Sequence, residues 1–285
     1  MFPPASLKLG PALTNHARYV REPESWMLNA FVLPVGQFEA AKHFLSQFEP
    51  AYPLTISALG PRTENAAAFR DALIETDAAI RSLSALNVDL VSITQLEMFL
   101  PGDVDSDILN EARSIAGSLP AFWEAPAERA SSTIALLADH NSNVDRPTFG
   151  YKMRTGGVTA NAFPTSAQIA AALVTPAHRV PTKFTAGLHH PLRQYREEVQ
   201  TKMHGFLNVL GAAVLAAEHK WDAAQTTEML EDEFAGSFKV DDEFFAWRDW
   251  KIDIRRLKDR RRCATSFGSC SFDEPRDDLR ALKLL

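Results

Sequence analysis

The spacing of apolar and polar positions changes period repeatedly along this chain. Short β-branched or aromatic runs bounded by Pro or Gly occupy Trp26–Pro34, Tyr52–Gly60, Asp89–Pro101, Pro120–Pro126, Thr148–Gly157, Pro181–Pro191 and Ala264–Phe272. Such runs predict strands. Between them, apolar residues recur at helical spacing in QFEAAKHFLSQF, TENAAAFRDALIETDAAIRSL, DSDILNEARSIAGSL, ERASSTIALLADH, TSAQIAAALV and the long stretch from His204 through Glu233. Thr63 ahead of Glu64, Asp105 ahead of Asp107 and Ile108, and Thr165 or Ser166 after Pro164 supply helix-start chemistry.

Strand, helix, strand, repeated, implies parallel strands joined by crossover helices. The expected fold class is therefore α/β, a (β/α)8 TIM-like barrel forming a single domain over residues 1–285. Seven strand candidates are one short of closure, and the helix-like LKLGPALTNHARYV precedes the first of them. A first strand, truncated or irregular, is thus expected at or just before Met1, next to FPP at residues 2–4. The aromatic, acidic segment 234–250 follows neither period and reads as an excursion. An open doubly wound sheet is the competing arrangement; no G-x-G-x-x-G follows the early strands to support its dinucleotide-binding form.

Composition narrows the partners. With 46% hydrophobic and 23% charged residues the chain is ordinary globular protein, and a net charge of -6 with pI near 5.8 opposes a nucleic-acid surface. The basic run Arg255 to Arg262 reads as the solvated face of a late helix. Cys263 and Cys270 have neither zinc nor disulfide-framework spacing, which fits a reducing compartment. MFPPASLKLG lacks the pattern of a signal peptide, and the apolar run Phe206 to Ala217 is too short to span a bilayer. A cytoplasmic protein without nucleic-acid or membrane partners is expected.

The chemistry lies in polar groups inside strands. Alternation puts Phe149, Tyr151 and Met153 on one face and Gly150, Lys152 and Arg154 on the other; likewise Thr182, Phe184 and Ala186 oppose Lys183, Thr185 and Gly187. In a barrel the outer face packs under helices, so Lys152, Arg154 and Lys183 are expected inside, near the carboxyl ends of the strands. Gly156, Gly157 and Gly187 end those strands, where a ligand could approach the backbone.

Buried cations need acids, a bound anion or loss of a proton. Glu97 and Glu124 are the nearby acids, and an interior Lys152–Glu124 ion pair is the purely structural alternative. Three cations against two acids favour a small carboxylate or phosphate substrate, with Arg154 as clamp and Glu97 as a further contact. Glu124 and one of His189 and His190 are candidate acid/base groups; adjacent residues on an extended chain point opposite ways, so one imidazole is expected to face the site.

A divalent metal would need those histidines with His204, Glu124 or Glu97, and no HxH or HExxH spacing is present. No cofactor is required otherwise. Ser266, Gly268 and Ser269 form a candidate anion nest at the last strand, opposed by Asp273 and Glu274. Cys270 has no histidine partner visible in sequence and reads as a structural thiol.

The motifs FPPASL, WMLNAFVLP, YKMRTGG, KFTAGLHHPLR, MHGFLNV and SFGSCSFDEPRDDLRALKLL, spread over nearly the whole chain, resemble an uncharacterised bacterial family of TIM-barrel-like proteins. In those relatives FPP follows an acidic strand, so the resemblance implies a truncated start. Lys152-Met153-Arg154-Thr155-Gly156 and Lys183 followed by Thr185-Ala186-Gly187 are also similar to two late strands of class I, deoxyribose-phosphate-type aldolases. That likeness implies Lys152 as Schiff-base amine and Lys183 as the cation beside it. The HHP that follows Leu188 has no counterpart there.

Overall fold

The computed structural model describes residues 6–86, 89–143, 149–174 and 180–285. FPP, a strand at or before Met1, and Thr148 lie outside the described residues. Two compact units are formed, Met1–Glu124 with Asp139–Gly150, and Ala125–Ala138 with Tyr151–Leu285.

The first unit begins with α1 (Leu9–Tyr19), then β1 (Phe31–Pro34), α2 (Phe38–Lys42), β2 (Leu54–Leu59), α3 (Ala66–Leu86), β3 (Val91–Phe99), α4 (Ser106–Ala116) and β4 (Ala121–Glu124). β1 to β4 pair in parallel in chain order. Asp105 caps α4 as expected, accepting from Asp107 N and Ile108 N. At α3 the cap is Asn65, which accepts from Ala68 N, so Thr63 lies two residues too early. The helix expected over QFEAAKHFLSQF is shorter, ending at Lys42 with a 3-10 turn at Leu45–Gln47. Trp123, wholly buried, meets the edges of Phe69 on α3 and Phe149 at ring-centre distances of 5.3 and 5.1 Å. That fixes which face of β4 the helices cover.

Two elements straddle the division: α5 (Ala130–Ser142) and β5 (Phe149–Arg154). The second unit continues with α6 (Ser166–Val174), β6 (Thr182–Thr185), a hairpin of β7 (Gln194–Arg196) and β8 (Thr201–Met203), α7 (Phe206–His219) and α8 (Ala223–Glu231). There follow β9 (Phe238–Val240), β10 (Phe244–Trp247), β11 (Trp250–Asp253), α9 (Ile254–Arg260), β12 (Ala264–Phe267) and α10 (Asp273–Ala281). The parallel sheet has the strand order β1-β2-β3-β4-β5-β6-β12. This is the sequential order of a (β/α) barrel; a doubly wound sheet reverses direction at a switch point. The fold is α/β, and each of the seven predicted runs contains one of these strands.

The stretch His204 to Glu233 is broken between α7 and α8, where Lys220 adopts φ 56° and Asp222 caps the second helix through Gln225 N. The excursion is an antiparallel meander, β9-β10-β11, clasped by aromatics: Trp221 lies 5.6 Å from Trp247 and 5.4 Å from Trp250 between ring centres. The basic run forms α9, with Arg256 and Arg260 both on Glu218.

Candidate functional site

In the first unit a β-bulge at Thr94 shifts the register so that Ile56 faces Ile93 but Ser57 faces Gln95. Gln95 and Glu97 then share a face with Ser57. Gln95 Nε2 donates to Ser57 Oγ at 2.9 Å, and Ser57 Oγ donates to Glu97 Oε1 at 2.5 Å. Ser57 and Glu97 are fully shielded from solvent. The serine has a single proton, so the chain of donation runs from Gln95 through Ser57 to Glu97 Oε1. Phe99 pairs in register with Glu124, placing that buried acid on the same face. Ser57 and Gln95 were not legible as site residues, because the bulge that aligns them leaves no mark in the spacing.

In the second unit Lys152 and Lys183 are register partners on adjacent parallel strands, both 4% exposed. Arg154 pairs in register with Thr185, and Ser266 with Lys183. Lys152, Arg154, Lys183, Thr185 and Ser266 therefore share one face. Phe184 and Phe267 point the other way, where Phe206 of α7 stacks on Phe267 at 4.7 Å. As the alternation predicted, helix covers the apolar face and the lysines lie opposite. Arg154 is exposed at the end of β5, whereas the lysines are buried. Thr185 Oγ1 is buried and has no hydrogen-bond partner among the described residues. A buried orphan hydroxyl normally costs free energy.

β6 ends at Thr185, earlier than its pattern suggests, because Ala186 (φ 62°) and Gly187 (φ 76°) are left-handed. A side chain at Gly187 would stand 2.9 Å from Gly156 Cα, so the two strand-end loops touch there. Thr155 Oγ1 donates to Ala186 O at 2.6 Å across the same contact. The space beside Gly156 is filled by Phe163 and that beside Gly157 by Ala162, so these glycines serve close packing of the chain itself.

The left-handed turn also overturns the expectation that the two histidines diverge. His189 Nδ1 meets Glu274 Oε2 at 3.2 Å and His190 Nδ1 meets Asp278 Oδ2 at 2.6 Å, both acids lying one turn apart on α10. Both histidines are buried. Burial lowers the His189 pKa, partly offset by Glu274 and reinforced by His190 and Arg196. Ser269 Oγ and Cys270 Sγ lie 3.4 and 3.6 Å from the same Nδ1. Gly268 N donates to Phe184 O, Ser269 Oγ accepts from Ser271 N, and Ser271 Oγ accepts from Glu274 N. The last-strand loop thus uses much of its polarity internally.

His204, considered as a metal ligand, is instead locked in place. Its Nε2 donates to Pro164 O at 2.7 Å, Nδ1 accepts from Arg193 at 3.1 Å, and burial lowers its pKa to about 4. Among the described residues no group of three or more His, Cys, Asp and Glu side chains is placed to hold a metal ion, and no helix is long and apolar enough to cross a membrane. Glu274, Asp278 and the Cys270–His189 contact escaped sequence reasoning because they join segments about 80 residues apart.

No family model matches this chain, and no curated protein matches it. A crystal structure of a candidate Chitinase A from Streptomyces coelicolor is similar over 69% of this chain and 70% of its own, at 13% identity and a TM-score of 0.35.

Proposed function

We propose that this protein is a barrel-type enzyme acting on a small anionic metabolite that carries a carbonyl group, with lyase or isomerase chemistry. The observation that supports this reading most is the pairing of Lys152 with Lys183, buried neighbours on one sheet face, with the orphan Thr185 hydroxyl next along β6. A side chain held unsatisfied in a buried position suits a group that arrives with a ligand. Two adjacent buried cations suit an anion, and a lysine beside a second cation is the arrangement that makes an amine nucleophilic at neutral pH.

In this reading the Lys152 amine attacks the carbonyl carbon and water leaves, forming an imine. The imine then accepts the electron pair of a breaking C–C or C–H bond. Arg154, exposed at the strand end, clamps the carboxylate or phosphate. His189, kept proton-poor by burial, moves protons at the rim.

Borohydride reduction in the presence of two- to six-carbon phosphorylated or carboxylated aldehydes and ketones tests it. Intact mass should rise by one reduced ligand, mapped to Lys152 and absent in Lys152→Ala. No adduct across the panel, or an unchanged adduct in Lys152→Ala, ends the Schiff-base assignment.

A further inference from the structure

Cys270 has no part in that chemistry, yet its surroundings are unlike those of a filler residue. It lies three residues beyond β12 and just ahead of α10, half-buried, with Sγ 3.6 Å from His189 Nδ1. The same nitrogen is 3.2 Å from Glu274 Oε2 and 3.4 Å from Ser269 Oγ. A thiol, a hydroxyl and a carboxylate thus gather on one buried ring nitrogen. Of the two nucleophiles, the thiol ionises first by several pH units, since an ordinary cysteine titrates near 8.5. Glu274 stabilises the imidazolium that forms when His189 takes a proton. Arg196 and His190 are the other charged or titratable neighbours acting on that ring. Cys263 provides the contrast within the molecule: burial pushes its thiol up.

We infer that Cys270 is a nucleophilic thiol, served by the His189–Glu274 pair, that adds reversibly to the carbonyl carbon of an aldehyde ligand. The aldehyde class rests on the carbonyl reading above; the reactive thiol does not. The sulfur electron pair forms the C–S bond and the C=O π pair moves onto oxygen. The thiol proton passes to the lone pair of His189 Nδ1, where Glu274 faces the resulting imidazolium, and from there to that oxygen. The product is a hemithioacetal, reached without oxidant, leaving group or further reactant.

The test is the rate of iodoacetamide labelling at each cysteine of the intact native chain, followed by peptide mass spectrometry at several pH values. Cys270 should react at least about tenfold faster than Cys263 at pH 7, and His189→Asn should slow Cys270 alone by about tenfold. Glycolaldehyde should protect Cys270 reversibly, and should do so equally in Lys152→Ala, which has no Schiff-base amine at that position. Equal rates at the two cysteines of the unmodified protein overturn the reactive thiol whatever the variants do. Fast labelling of Cys270 without protection by the aldehyde overturns the ligand class. Loss of the borohydride adduct with protection intact would strike only the lysine chemistry.

Discussion

Two hydroxyls on neighbouring-strand faces, one in each unit, are treated in opposite ways. Ser57 is saturated: it accepts from Gln95 and donates to Glu97, all within the first unit. Thr185, beside a pair of buried lysines in the second unit, holds a buried Oγ1 with no partner among the described residues. In the first arrangement the Ser57 hydroxyl uses both its donor and its acceptor capacity, which helps to order that part of the core. In the function proposed above, a ligand supplies the bond that the Thr185 hydroxyl lacks among the described residues.

The largest expected effect sets the pH range in which the two faces can be compared at all. His16 in the first unit and His204 in the second are both lowered by burial to about 4. A histidine depressed in the fold binds more protons when unfolded, so its stabilisation is complete above pH about 6.5 and is lost as pH falls towards 4. Each should cost about 3 kcal/mol over that window. Urea denaturation between pH 7.5 and 4.5 should show the loss, and His204→Gln should flatten it. An unchanged slope in that variant would remove His204 from the explanation.

Next in size is Ser57→Ala. It strips Glu97 of a donor and Gln95 of an acceptor, which should destabilise the protein by about 1–3 kcal/mol at pH 7. A negligible change would mean that the network is satisfied by water and would erase the contrast with Thr185. Thr185→Val keeps the shape and removes only the orphan hydroxyl. Its effect on stability should be small, within about 0.5 kcal/mol, or slightly favourable.

Period and punctuation carried the architecture further than they carried the site. Seven apolar runs were legible because a parallel strand under helices must bury one face, and the same alternation placed Lys152 and Lys183 together. What escaped depended on single dihedrals or distant partners. The left-handed Ala186 is invisible in a residue type that rarely adopts that conformation, yet it ends β6 and turns both histidines onto α10. The Thr94 bulge and the β7–β8 hairpin were missed for a similar reason: each is too short to impose a period. The Cys270–His189 contact required folding to bring it about.

The proposed function requires that the lysine face of β5 and β6 bind an anion. It is tested most directly by measuring denaturation midpoint and calorimetric affinity for inorganic phosphate and short carboxylates on the same preparation of Thr185→Val. The midpoint should stay near that of the unmodified protein while affinity falls about tenfold, the worth of one hydrogen bond to a charged group. A midpoint that drops as far as in Ser57→Ala, with anion uptake unchanged, would show that the hydroxyl serves the fold alone and would contradict the claim.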